Sequence, residues 1–322
     1  MSLSSPAALR AALHGVRALV LDADGVLVGR GAALPGVPEA LARLDERGIP
    51  YCVATNVSSA HRETLAARFA RMGLAVPAER IVTALSATVD HVRRTYPGQR
   101  IFVLTHPDGL REFGDDPLLT PEDAGAPDAR AGAVVLGDGE HELSYENLDR
   151  AFRLIRRGAD LIAVHRNGWW HTARGETIDT GAFVAALEYA TRTRARLTGK
   201  PAPPVFRAAC RALAADIAAA GGQRLRRDAV AMVGDHAPQD IAGARRAGLR
   251  GILVLSGRTA ADEVAGLRGL AVPGAVAAGL GDVVAALDRP RQGRSSRKKG
   301  LHSPLDAGTS TTYGRTRQPM QG

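Results

Sequence analysis

The chain has 322 residues, a formal net charge of +9 at pH 7, and 45% hydrophobic and 23% charged residues. At roughly 100–200 residues per domain this length suggests two domains, and the apolar share excludes a chain that is disordered throughout. The 36 glycines and 18 prolines are scattered without a collagen-like period, and no apolar run reaches the roughly 18 residues of a membrane span.

The N-terminal residues MSLSSPAALRAALHG lack the basic-then-apolar order of a secretory leader, so a cytoplasmic protein is expected. Residues 17–21 (VRALV) run into LDADG and predict a buried parallel strand ending in acids. LPGVPEALARLDERG predicts a helix stopped at Gly48, and PYCVATN a second strand. HRETLAARFARMG predicts a helix and RIVTAL a strand turning into one, so βαβ units and a parallel sheet are expected. Residues 86–195 continue with RIFVLT, AGAVVLG and ADLIAVH as strands and SYENLDRAFRLIRRG and TGAFVAALEYATR as helices, enough for an α/β layer of their own. LTGKP then leads into the helix PPVFRAACRALAADIAAA, the strand-to-helix segment DAVAMVGDHAPQDIAGARRAG, the strand RGILVLSG and a closing helix in AVAAGLGDVVAALD. Cys52 and Cys210 sit in apolar segments without zinc-like spacing and are expected to be reduced core thiols. From Arg289 onward eight Lys or Arg face one Asp, so this Gly-, Ser- and Thr-rich tail carries most of the net charge. The tail is expected to be disordered, and nucleic-acid contact, if any, is confined to it.

Chemistry-bearing residues fall at the ends of predicted strands, where an open parallel sheet binds ligands. Asp22 and Asp24 lie two apart in extended backbone and project to one side, and Gly25 lets the chain turn. Such a pair suits a cation, a nucleophile with an acid/base partner, or simply a solvated turn. An EF-hand is disfavoured, because its bidentate Glu is missing. Val233-Gly234-Asp235, followed by Asp240, repeats the arrangement more than 200 residues later, and the two strand ends together would make an oxygen-rich site suited to Mg²⁺. Asp235 and Asp240 could equally cap the following helix. Thr55 and Asn56 offer a hydroxyl, an amide and backbone N–H groups to a phosphate. Gly199-Lys200-Pro201 is no P-loop, since Arg194 and Pro201 occupy positions that need Gly and Ser or Thr, but Lys200 can serve as a fixed cation.

Taken together, DADGV, TN, GKP and GDHAPQD, in that order, resemble the four motifs of the haloacid dehalogenase-like superfamily of aspartate-nucleophile phosphatases over residues 17–258. The resemblance implies a Rossmann-like parallel-sheet core with an inserted α/β cap. It also implies Asp22 as nucleophile, Asp24 as general acid/base, Thr55, Asn56 and Lys200 as phosphate holders, and Mg²⁺ bound by Asp22, the Asp24 carbonyl and Asp235, with Asp240 behind them. Members that remove halogen lack an acid/base at the position of Asp24, so a phosphatase acting on small phosphorylated metabolites is expected. A catalytically silent phosphate-ligand or protein-binding module is the alternative, against which the complete acid set argues.

Only 31 positions separate Asp24 from Thr55, whereas 145 separate Thr55 from Lys200, so the cap follows the second motif. The expected division is a core of residues 1–85 and 196–288, a cap of 86–195 and a tail of 289–322. This resembles the NagD-type branch with a large α/β cap, and LIAVHRNGWW, TGAFVAALEYAT and TGKP look most like its phospholysine phosphohistidine inorganic pyrophosphate phosphatase members, extending the expected substrates to P–N bonds and pyrophosphate. Members of the branch commonly pair through their caps, so a homodimer through the cap is one of the oligomeric states left open. Val57 and His236 depart from the usual motifs. Trp169 and Trp170, beside His165, Arg166 and His171, either lie on a loop over the phosphate pocket or pack under the cap sheet; Trp170 and His171 are the candidates for substrate selection.

Overall fold

In the computed structural model, which describes residues 3–172 and 175–287, the apolar runs become two parallel sheets. The first has six strands in the order Ala275–Ala277, Arg250–Val254, Val230–Gly234, Ala18–Leu21, Tyr51–Thr55, Ile81–Thr83, with every neighbouring pair parallel. The chain starts at Ala18–Leu21 near the middle, builds outward on one side, then returns to build outward on the other. This is the doubly wound, Rossmann-like order, and its crevice opens at the carboxyl ends of Ala18–Leu21 and Val230–Gly234, where the direction of winding reverses. Leu21 is in register with Val233, and the Asp22 N–H donates to the Val233 carbonyl at 2.9 Å, so the acids that follow both strands emerge side by side.

Side-chain alternation explains why this sheet is covered on both faces. Leu19 and Leu21 pack with residues of the helices Val37–Glu46, Arg62–Arg71 and Leu280–Ala286, while Ala18 and Val20 pack with the helix Pro203–Ala219. The second sheet has five parallel strands in the order Arg196–Leu197, Asp160–Ala163, Ala133–Leu136, Ile101–Leu104, Leu118–Leu119. Val89 and Val92 of the helix Ala84–Thr95 cover one face. Leu154 and Val184, from the helices Tyr145–Arg156 and Thr180–Thr191, cover the other. Both sheets belong to one compact unit.

Four local features differ from the sequence reading. Ala275–Ala277 is an edge strand and only Leu280–Ala286 is helical, because three small apolar residues suffice to extend a sheet already covered by neighbouring helices. The second sheet continues to Leu197, past residue 195, because Arg196 and Leu197 pair with Ile162 and Ala163. The Trp169–Trp170 segment is an antiparallel ribbon, Trp169–Thr172 with Gly175–Ile178, in keeping with the strand preference of Trp, Thr and Ile. Cys210 is partly buried beside the helix Pro203–Ala219 packing cluster, whereas Cys52 is fully buried; both are free thiols. The tail expected at 289–322 and the side chain of His171 lie outside the described residues. Among the described residues no helix is long and apolar enough to cross a membrane.

Candidate active site

Asp22, Asp235 and Asp240 are buried, and one carboxylate oxygen from each lies within 4.8 Å of the others. The first two arrive on adjacent strand ends. Asp240 arrives from a widened π-helical turn, Ala237–Ile241, a local geometry common at functional sites. There the carboxylate turns back so that Oδ2 accepts from the His236 N–H at 3.0 Å. Asp240 is thus more than a helix cap: it is fully buried and shares the ammonium of Lys200 with Asp22.

Lys200 is itself buried, with Nζ 2.5 Å from Asp22 Oδ1 and 2.8 Å from Asp240 Oδ1. Burial alone would push this lysine towards neutrality; the charges and hydrogen bonds of the two aspartates overcome that and hold it firmly protonated. Conversely, burial and the charge of Asp240 push the Asp22 carboxyl well above the ordinary range, with Lys200 opposing. Burial likewise raises Asp235, against a 2.6 Å hydrogen bond from the Arg258 N–H.

Three clustered buried carboxylates with one ammonium among their partners leave excess negative charge, which is costly unless a further cation shares it. The donor set is all oxygen, and among the described residues Asp240 Oδ1 meets only the Lys200 ammonium. These residues fit a hard divalent cation such as Mg²⁺. Two glycines keep the space around Asp235 open: a Cβ at Gly25 would stand 2.2 Å from Asp235 Oδ2, and one at Gly257 2.1 Å. Gly25 also has φ +75°, which favours glycine. Asp24, adjacent to it, is exposed and contributes no carboxylate to the cluster. Its carboxyl is nonetheless raised by desolvation of its surroundings, with the Lys200 charge opposing.

Asn56 takes a different part from the one its position suggests. Its side-chain Oδ1 accepts from the Lys200 N–H at 2.7 Å and its Nδ2 donates to the Lys200 carbonyl at 3.1 Å, so the amide that could have met a phosphate instead holds the lysine backbone. Lys200 leaves the edge of the second sheet directly, because the Gly199 N–H donates to the Val164 carbonyl at 2.9 Å. Only glycine fits there, as a Cβ would lie 2.3 Å from that same oxygen. The Thr55 hydroxyl is buried at its strand end and accepts from the Val57 N–H at 3.3 Å. Val57, a departure from the usual motif, therefore acts through its backbone. At the other departure, His236, burial lowers the imidazole, and the backbone N–H donates to Asp240.

Trp169 and Trp170 are half exposed on their ribbon. Arg166 is paired with Glu188. Residues the sequence reading passed over complete the surroundings. The loop after Arg250–Val254 closes over the motif, with the Ser256 hydroxyl donating to the Gly25 carbonyl at 2.6 Å. Gln239 donates to Asn167 at 3.5 Å and accepts from Asn56 at 3.3 Å, linking the two sheets' loops. Position alone could have flagged the Ser256–Thr259 loop, since it too follows a parallel strand.

Residues 19–115 match the family description "haloacid dehalogenase-like hydrolase", and residues 197–283 match a second description of HAD-hydrolase-like proteins. The mouse haloacid dehalogenase-like hydrolase domain-containing protein 2 is 33% identical over 254 residues, 79% of this chain and 90% of that protein. The chain belongs to the haloacid dehalogenase-like hydrolase family. A further relative, the phospholysine phosphohistidine inorganic pyrophosphate phosphatase of Xenopus laevis, is 30% identical over 76% of this chain and 85% of its own length. The crystal structure of a 4-nitrophenylphosphatase from Thermotoga maritima superposes with a TM-score of 0.73 at 28% identity, covering 86% of this chain and 99% of that one. This family member is a hydrolase of the phosphatase kind.

Proposed function

We propose that the protein hydrolyses small phosphorylated metabolites through a phosphoryl group carried on Asp22, with Mg²⁺ as its metal. The buried cluster of Asp22, Asp235 and Asp240, with the Lys200 ammonium held between Asp22 and Asp240, carries this reading. A phosphate ester brings negative oxygens that repel a carboxylate nucleophile, and a fixed ammonium reduces that repulsion. Mg²⁺, when bound by Asp22, the Asp24 carbonyl and Asp235, supplies further neutralisation of the phosphoryl oxygens.

In the proposed sequence an Asp22 carboxylate oxygen attacks phosphorus, and the bond from phosphorus to the leaving oxygen breaks. Asp24 delivers its proton to that oxygen, a task suited to a carboxyl raised from its ordinary value. The resulting Asp24 carboxylate then takes a proton from water, whose oxygen attacks the phosphorus on Asp22. Inorganic phosphate leaves and both aspartates return to their starting states. Thr55 and the Asn56 backbone N–H hold the phosphoryl oxygens, and the Asn56 side chain acts by fixing Lys200. The first sheet with its loops supplies this machinery, and the second sheet with its ribbon supplies the cover that selects the substrate, with Trp170 and His171 as its selecting residues.

The test is phosphate release from p-nitrophenyl phosphate, a panel of phosphorylated metabolites, phosphoramidates and pyrophosphate, with Mg²⁺ or EDTA. Phosphoramidates and pyrophosphate belong in the panel because a relative's name carries P–N compounds and pyrophosphate. Release that needs the metal and disappears in Asp22→Asn is the expected result. A folded protein that releases phosphate from none of them would overturn the proposal.

A further inference from the structure

The loop that follows Thr55 is tied to the second sheet at one residue. Asp138, just past the strand Ala133–Leu136, accepts at Oδ2 from the Ser58 N–H at 3.1 Å, and its own N–H donates to the Ser58 hydroxyl at 2.8 Å. This reciprocal pair is reinforced by the Thr105 hydroxyl, 3.0 Å from the Ser58 carbonyl and 3.1 Å from the Asp138 carbonyl. Ser58, Thr105, His165 and Thr180 are all buried. The other oxygen of Asp138, Oδ1, is held by His165 Nε2 and by the Thr180 hydroxyl at 3.2 Å.

His165 opens the segment that leads into the Trp169–Thr172 ribbon. Its Nδ1 accepts from the Asn167 N–H at 3.3 Å, and Asn167 in turn accepts from Gln239 of the first sheet's loops. Asp179 brings a further carboxylate near Asp138 and His165. The polarity at Nδ1 argues against a metal there, because a histidine that ligates through Nε2 carries its proton on Nδ1 and donates it, whereas here Nδ1 receives a donor. The cluster is a hydrogen-bonded joint.

We propose that Asp138 is a positioning residue: it clamps the phosphate-holding loop 55–58 to the base of the Trp169–Thr172 ribbon and so sets the affinity for the phosphoryl group. The proposal rests on the phosphatase reading above. One carboxylate serves both sides, with Oδ2 fixing the loop and Oδ1 fixing His165. An amide in its place cannot accept on both atoms.

Asp138→Asn and Ser58→Ala test this in the full chain, with p-nitrophenyl phosphate and Mg²⁺ for turnover and inorganic phosphate as competitive inhibitor. A group that binds ground state and transition state alike changes KM more than kcat, so both variants are expected to raise KM and the phosphate inhibition constant together, by about tenfold, with a much smaller fall in kcat. The double variant should be little worse than the weaker single one, because the two substitutions break the same pair. Wild-type KM and phosphate inhibition in both variants would overturn the clamp. So would a loss of kcat that merely follows the unfolded fraction in thermal melts, or failure of both variants to fold, since each would make the pair structural only. A wild-type protein that neither turns over any ester nor binds phosphate would overturn the phosphatase reading, and the clamp with it.

Discussion

Asp22 meets two opposing influences at once: burial and Asp240 favour its neutral form, and Lys200 at 2.5 Å favours the carboxylate. That balance makes the surroundings of the proposed nucleophile as consequential as the residue itself. Asp22→Asn keeps the volume and removes the attacking oxygen's charge, and turnover is expected to fall by at least about 10⁴-fold with the far-UV circular dichroism unchanged. Asp240→Asn leaves Lys200 with Asp22 alone, and kcat should drop by about 10–100-fold, since groups that orient a reacting residue commonly contribute that much. Gly257→Ala tests the space around Asp235, because a Cβ 2.1 Å from Oδ2 must displace the carboxylate. The Mg²⁺ concentration for half-maximal activity should rise by about tenfold or more. An unchanged metal requirement would remove Asp235 as a ligand.

At the scale of elements, the joint between the sheets is built from polar contacts converging on residues 58–64. Buried Glu112, in a short helical turn Arg111–Phe113 beside the second sheet, accepts from the Arg62 N–H at 2.9 Å and from its guanidinium at 2.7 Å. Asp108 accepts from the His61 N–H and the Thr64 hydroxyl, each at 3.1 Å. Glu112→Gln is expected to destabilise by about 1–3 kcal/mol, because the charge-assisted pairing is lost while Arg62 can still reach water. Thermal melts should show this as a fall of about 2–4 °C per kcal/mol.

Asp138 gives the same joint a pH signature. Burial pushes its carboxyl up, but the hydrogen bonds from His165 and Ser58 outweigh it and hold it below the ordinary value of 3.8. A depressed folded value stabilises above the unfolded one, and the contribution is lost as pH falls through the folded value. The stability difference between the wild type and Asp138→Asn should therefore be steady above about pH 5 and shrink as pH drops below about 4. Denaturant melts across that range measure it; a difference that grows on acidification would contradict the assignment.

For the molecule as a whole, the excess negative charge of the Asp22, Asp235 and Asp240 cluster predicts that a cation couples to folding. Mg²⁺ at about 100 times its dissociation constant should add about 2.7 kcal/mol and raise the melting temperature, and Asp235→Asn should abolish most of that rise. The half-exposed tryptophans supply a separate readout, since Trp170→Ala should change KM or the ranking of substrates while leaving the melting temperature close to wild type. Unchanged kinetics on every good substrate would take the ribbon out of substrate selection.

The main strand runs and the acids at their ends were legible in the sequence because each is local: an apolar β-branched run reads as a buried parallel strand, and DADGV, TN, GKP and GDHAPQD stand in that order along the chain. The edge strand Ala275–Ala277 and the ribbon Trp169–Thr172 were not legible, since three small residues or a Trp-Trp pair acquire strand geometry only from a neighbour to pair with. The side chain of Asn56 turned to Lys200, and Asp240 joined the ammonium, through contacts 144 and about 40 positions apart along the chain, which spacing alone cannot encode. Sequence determined which residues carry charge and which segments bury; only the tertiary structure decided that Ser58, Asp138 and His165 meet, because hydrogen-bond partners across two sheets are fixed by packing and leave no periodic trace in the chain.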